Sequence, residues 1–133
     1  MPDNNGTQKT ILLVDDDEIH LLMAESLLET EYKIYKATSG KETLEFLGKS
    51  HVIPDIVLLD IIMLEMNGWE VFKRIKEITE LQNVPIVFLT SVDEEGEKRK
   101  AFKLGAAEYI TKPYDIVELK ETIERIIHGN GER

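Results

Sequence analysis

The sequence predicts an α/β fold, a parallel sheet with helices on both faces. Three observations carry this. Short apolar runs rich in strand formers alternate five times with stretches of helical periodicity. The run at 56–59, Ile-Val-Leu-Leu, is apolar throughout, as a strand buried on both faces must be. Acidic, hydroxyl and basic residues stand at the C-terminal ends of the runs, the edge where open α/β sheets bind ligands.

In chain order, residues 1–9 are polar, with Asn4, Asn5 and Gly6, and are expected to form a disordered tail. The first strand is Thr10-Ile11-Leu12-Leu13-Val14, ended by Asp15, Asp16 and Asp17. Ile19, Leu22, Met23 and Leu27 follow at the i, i+3, i+4, i+8 spacing of an amphipathic helix, so these four are expected to face the core. Asp16 or Asp17 is its cap, and Glu18 suits its first turn. Residues 32–37 form the second strand. Ser39-Gly40-Lys41-Glu42 has the form of a capping box and opens a helix bearing Leu44 and Leu47, stopped by Gly48. Pro54 precedes the central strand, which ends in Asp60. Asn67-Gly68 is a turn before a third helix carrying Val71, Phe72, Ile75 and Ile78. Ile86-Val87-Phe88-Leu89 is the fourth strand, running into Thr90. The helix expected over 93–104 has a thin apolar side, Ala101, Phe102 and Leu104, and Gly105 ends it. The last strand, 107–111, leads to Lys112-Pro113. Asp115 then caps a helix with Ile116, Leu119, Ile123, Ile126 and Ile127.

The 133 residues suffice for one domain, expected over 10–128, with 129–133 a frayed C-terminal tail. No apolar run approaches the ~20 residues that cross a bilayer, and the N-terminus lacks the apolar region of a signal peptide. Cysteine is absent, which excludes disulfides and thiol chemistry and accords with a cytoplasmic location. A net charge of −10 disfavours direct nucleic-acid binding.

Right-handed crossovers bring the strand ends to one edge, with Asp15-Asp16, Asp60, Thr90 and Lys112 upon it. Singly these residues are ordinary. Aspartates after strands cap helices, threonines form strands, and lysines are solvated. Together they describe a site. Carboxylates gathered there repel one another unless a cation is near. A hard divalent ion such as Mg2+ takes oxygen ligands and can screen a phosphoryl group while a carboxylate attacks phosphorus. A lysine and a threonine hydroxyl suit the phosphoryl oxygens. On this reading Asp60 is the nucleophile, Asp16 the main metal ligand and Asp15 its helper, with Lys112 and Thr90 on the phosphoryl group.

VDDDE at 14–18, LLDIIMLEMNG at 58–68, FLTS at 88–91 and YITKPYD at 109–115 resemble a response-regulator receiver domain, in the family's order. The resemblance implies a flavodoxin-like (βα)5 doubly wound sheet in the order 2-1-3-4-5. It implies that Asp60 accepts a phosphoryl group from a histidine kinase or phosphotransfer protein. Asp15, Asp16, Asp60 and the Ile62 backbone carbonyl would hold Mg2+. Thr90 would turn toward the phosphoryl group, Tyr109 would follow into the space vacated, and the face of the fourth helix, fifth strand and fifth helix would change for a downstream target or effector domain. The Lys112-Pro113 bond is implied to be cis, as in much of the family. Two departures matter. Leu64 stands where the family commonly has proline. Ile62 and Val92, whose positions influence attack of water on the acyl phosphate, cannot orient a water, so slow self-dephosphorylation is expected.

Two rival readings stand beside this. An aspartyl-phosphate phosphatase generally carries a second acid two residues after its nucleophile, where this chain has Ile62. A receiver-like module that is never phosphorylated has no need of the full set of acids, threonine and lysine. The chain is accordingly expected not to be a turnover enzyme, and either to stand alone as a relay or to be cut from a larger regulator. His20, near the acidic edge, reads as a surface residue, and Trp69 as partly packed.

Overall fold

A computed structural model describes residues 8–129, so the expected tails fall outside the described residues except at Gln8, Lys9 and Gly129. Strands β1 (Thr10–Val14), β2 (Lys33–Ala37), β3 (Ile56–Leu59), β4 (Ile86–Thr90) and β5 (Glu108–Thr111) alternate with helices α1 (Glu18–Leu28), α2 (Gly40–Lys49), α3 (Gly68–Lys76), α4 (Glu95–Leu104) and α5 (Ile116–Glu124). All the strand pairings are parallel, in the order β2-β1-β3-β4-β5. This is the parallel sheet that the sequence predicts, in the doubly wound order that the resemblance implies. Lys9, expected in the tail, already accepts a bond from the Lys33 amide at 2.9 Å. No helix among the described residues is long and apolar enough to cross a membrane.

Strand alternation divides the core into two layers. Ile11, Leu13, Ile56, Leu58, Val87 and Leu89 pack with α1 and α5 through Leu21, Ala24, Leu28, Leu119 and Ile123, and with Ile126 in the turn that follows α5. Leu12, Val14, Val57, Leu59, Ile86 and Phe88 pack on the other face with Val71, Phe72 and Ile75 of α3 and Ala101 of α4. Both layers bury β3, which explains its unbroken apolar run.

Local signals place most helix ends. Asp17 caps α1 by accepting from the Ile19 and His20 amides, Asp115 caps α5, and Gly105 ends α4 in the left-handed region at φ 108°. At α2, Ser39 Oγ accepts from the Glu42 amide, while the Glu42 carboxylate reaches the Thr38 amide, one residue before the expected box partner. Gly48 does not stop α2, which runs to Lys49. A side chain there would meet nothing within 4 Å, so the helix passes through an open position. The fourth helix begins at Glu95, two residues later than expected, with Asp93 before it bonding Lys98 at 2.9 Å.

One expectation is overturned. Ile19, Leu22, Met23 and Leu27 do not face the core; they are 40 to 67% exposed, and Leu21, Ala24 and Leu28 are buried instead. The helix is apolar over most of its circumference, so the i, i+3, i+4 spacing fits two phases. Docking against the sheet selects the other one.

Candidate functional site

Strand register assembles the site. Val14 pairs with Leu59, so Asp15 and Asp60 come next to each other one step beyond the ladder. The Asp60 amide extends that ladder by donating to the Val14 carbonyl at 3.0 Å. Thr90 pairs with Thr111, and the Lys112 amide donates to the Thr90 carbonyl at 2.8 Å, which brings the lysine to the same edge. The Lys112-Pro113 bond is cis.

Asp15 and Asp60 are buried, each 8% exposed. The Lys112 ammonium is the cation between them, 2.5 Å from Asp15 Oδ2 and 3.2 Å from Asp60 Oδ2. Burial alone would lower the lysine's pKa, but the hydrogen bond it donates to Asp15 and the fields of Asp60 and Asp15 outweigh it and hold the group above its ordinary value. The second oxygen of each acid has a backbone partner. Asp15 Oδ1 accepts from the Asp17 amide at 2.9 Å, and Asp60 Oδ1 from the Ile62 amide at 3.2 Å. Among the described residues no buried side-chain nitrogen or oxygen lacks a partner.

The other expected residues stand around this trio. Asp16 is exposed and its Oδ2 accepts from the Leu64 amide at 3.2 Å, tying the loop after β3 to the end of β1. That loop carries Glu65 at φ 68°. Thr90 is fully buried, and its hydroxyl oxygen accepts from the Val92 amide at 3.3 Å. Tyr109 is buried against Phe88, ring centroids 6.1 Å apart, and its hydroxyl donates to the Val92 carbonyl at 2.5 Å. Its phenol is pushed up to about 12 by burial and then by Glu97, Asp93, Glu94 and Asp60. The trio therefore lies on the α1 side of the sheet edge, and the two hydroxyls lie toward α4.

Oxygen donors of this kind fit a hard divalent ion by chemistry. As they stand, no three acidic or histidine side chains among the described residues are grouped closely enough to hold one. Asp16 engages the Leu64 amide, and the lysine bridges the other two acids.

Two residues have a larger part than the sequence suggests. Gly68, read as a turn, lies against the backbone beneath the phosphoacceptor candidate. A Cβ there would come within 2.7 Å of Ile61 Cα and closer still to the Asp60 carbonyl oxygen, so no side chain fits. The Gly68 amide also donates to the Ile61 carbonyl at 2.7 Å. His20, read as a surface residue, is half exposed but places Nδ1 3.2 Å from the Lys112 ammonium. Nothing local marks Gly68; His20 is hinted at only by its place three residues after the α1 cap.

Known proteins agree with this architecture. The model of the response regulator receiver domain matches residues 11–124. A probable cyclic di-GMP phosphodiesterase of Vibrio cholerae serotype O1 is 38% identical over 88% of this chain, which spans only 26% of that protein's length. The polar-differentiation response regulator DivK of Brucella ovis is 31% identical over 87% of this chain and 94% of its own length. The solved structure of a putative response regulator from Chloroflexus aurantiacus superposes with a TM-score of 0.83 at 30% identity, covering 91% of this chain and 98% of that one. With the family pattern running from β1 to α5 and the sheet order reproduced, the chain belongs to the response regulator receiver domains of two-component signalling.

Proposed function

We propose that Asp60 accepts a phosphoryl group from the phosphohistidine of a histidine kinase or phosphotransfer protein, and that the chain then alters its α4–β5–α5 face for a downstream target or effector domain. One observation carries the reading: a buried carboxylate at a strand end shares the Lys112 ammonium with Asp15 at 3.2 and 2.5 Å. Burying an ammonium with two carboxylates costs desolvation that their attraction scarcely repays, so stability alone does not account for the arrangement. A carboxylate oxygen of Asp60 attacks phosphorus, the P–N bond breaks, and its electron pair leaves with the donor imidazole. The lysine, already at the carboxylate, neutralises charge gathering on the phosphoryl oxygens. Thr90, at the end of the adjacent strand, offers its hydroxyl to one of them. Asp15, Asp16, Asp60 and the Ile62 carbonyl would hold Mg2+, which supplies charge screening and polarisation of the phosphoryl group when bound.

The donor is a macromolecule, and α1 supports this. Its exposed stripe of Ile19, Leu22, Met23 and Leu27 runs away from the acidic edge. Exposed apolar residues in one contiguous stripe mark a partner surface. Beside it a groove of about 580 Å³ is lined by Met23, Ala24, Leu27, Pro113, Tyr114 and Ile116. The reading places the chain in the cytoplasm, as a self-modifying switch rather than a turnover enzyme, with no direct hold on nucleic acid.

Incubation with acetyl phosphate and Mg2+ followed by intact mass tests this. Wild type is expected to gain one phosphate and Asp60→Asn none. Continuous release of phosphate would instead identify a phosphatase, and an unchanged mass a binding module. The acyl phosphate should persist for many minutes or longer, because Ile62 is exposed but has no group to orient a water, and the Val92 side chain has none either. A lifetime of seconds at neutral pH would contradict that expectation.

A further inference from the structure

The Lys112 ammonium has three N–H donors and no acceptor. One donor goes to Asp15 Oδ2 at 2.5 Å and one to Asp60 Oδ2 at 3.2 Å; the third meets His20 Nδ1 at 3.2 Å. Since the ammonium can only donate, Nδ1 accepts and the ring proton is on Nε2. Asp15 Oδ2 and Asp17 Oδ2, each 3.7 Å from Nδ1, are beyond hydrogen-bond reach. The ring is held in place by the start of α1, where Asp17 Oδ1 accepts from the His20 amide at 3.2 Å.

These three acceptors are unequal. Bonds to the two carboxylates are charge-assisted on both sides, whereas the imidazole is neutral and half exposed. A phosphoryl oxygen arriving on Asp60 needs one N–H of this lysine, and the bond to His20 is the one given up at least cost. We propose that His20 is a positioning residue for Lys112, a stand-in acceptor that occupies the third N–H until the phosphoryl group displaces it. The inference rests on the reading of Asp60 as phosphoacceptor. It makes His20 a brake: its bond stabilises the resting site and has no counterpart once the phosphoryl group is in place. Removing it therefore speeds phosphorylation and leaves the decay of the acyl phosphate alone.

His20→Leu keeps bulk without an acceptor, and His20→Asn returns an amide oxygen near the place of Nδ1. Each is incubated with acetyl phosphate and Mg2+, and phosphate uptake is followed by intact mass at several sub-saturating donor concentrations. His20→Leu should be phosphorylated roughly 2- to 10-fold faster than wild type, the range of one hydrogen bond of ordinary strength, because the donor is charged but the acceptor is half exposed. His20→Asn should return to the wild-type rate, and the decay after donor removal should be the same in all three. A merely structural role would slow uptake, or move uptake and decay together. Uptake by His20→Leu at or below the wild-type rate, or failure of His20→Asn to restore it, overturns the proposal. The contact itself is read by ¹⁵N spectra of the imidazole at about pH 8. An unprotonated Nδ1 whose resonance shifts in Lys112→Met is expected, and an Nδ1–H ring in wild type overturns the proposal. That readout decides the contact even if wild type takes up no phosphate, a result that would defeat the assignment of Asp60 instead.

Discussion

Helices α1 and α4 both lie beside the site, and they are held very differently. The first is capped by Asp17 and buries Leu21, Ala24 and Leu28, yet has four further apolar residues in solvent. The second starts without a side-chain cap bond, buries only Ala101, and leaves Phe102 and Leu104 at 49 and 53% exposure. Two buried leucines contribute about 3–6 kcal/mol and one alanine methyl under about 1, so anchoring differs by several kcal/mol. The polar contacts of α4 do little to close that gap. The Lys98–Asp93 pair lies at the surface, where solvent screens such pairs until they add little. The Lys100 ammonium, 4.2 Å from the centre of the Trp69 ring, is one contact that links α4 to α3. Apolar content beyond what anchors a helix is available to a partner, and apolar content below it leaves a helix free to move.

The sharpest way to break this comparison is to charge the spare side of α1. Leu22→Glu sits in solvent at 58% exposure, so stability should change by no more than about 0.5 kcal/mol. Transfer from a phosphohistidine donor should fall about tenfold or more, as for a residue central to an interface. Uptake from acetyl phosphate should stay at the wild-type rate. An equal fall with both donors would mean that the stripe serves the site rather than a partner.

A smaller effect comes from stiffening α4. Gly96 lies in its first turn, and an added Cβ would meet only Arg99 Nη2 at 4.0 Å. Gly96→Ala should stabilise by about 0.5–1 kcal/mol, measured by urea unfolding. Gly48→Ala in α2, equally open, is the matched control. Only the Gly96 change should diminish the Trp69 fluorescence response to phosphorylation, because Trp69 touches α4 through Lys100. Equal effects of the two substitutions would remove α4 from the switch.

How far these features could be read from the chain depends on how local their causes are. The strands, the Asp17 and Asp115 caps, and the Gly105 terminus follow from runs of a few residues, and the structure has them where expected. Asp15, Asp60, Thr90 and Lys112 were legible as candidates because each interrupts an apolar run at the end that parallel strands share. The phase of α1 was not legible, since its apolar residues satisfy two helical faces and only the sheet chooses between them. Gly68 and His20 depend on approaches across the fold, to the Asp60–Ile61 backbone and to Lys112, which no spacing encodes.

An effect of similar size, read against pH, tests how the loop before α4 is tied down. The Tyr109 hydroxyl donates to the Val92 carbonyl at 2.5 Å, and burial with the nearby acids raises its pKa to about 12. An unfolded tyrosine titrates near ~10. A folded value above the unfolded one means that the protonated phenol stabilises the fold. Its contribution is complete below about pH 10 and is lost as pH rises through about 12. Tyr109→Phe removes the bond and should cost about 0.5–1.5 kcal/mol at neutral pH. The stability gap between wild type and Tyr109→Phe, measured by urea unfolding, should then narrow as pH climbs from about 10 to about 12. Tyr32 and Tyr114 titrate in both proteins and cancel from the difference. A gap that stays constant over that range would mean that the phenol does not fasten the loop, and the looseness of α4 would then have to be explained by its thin apolar side alone.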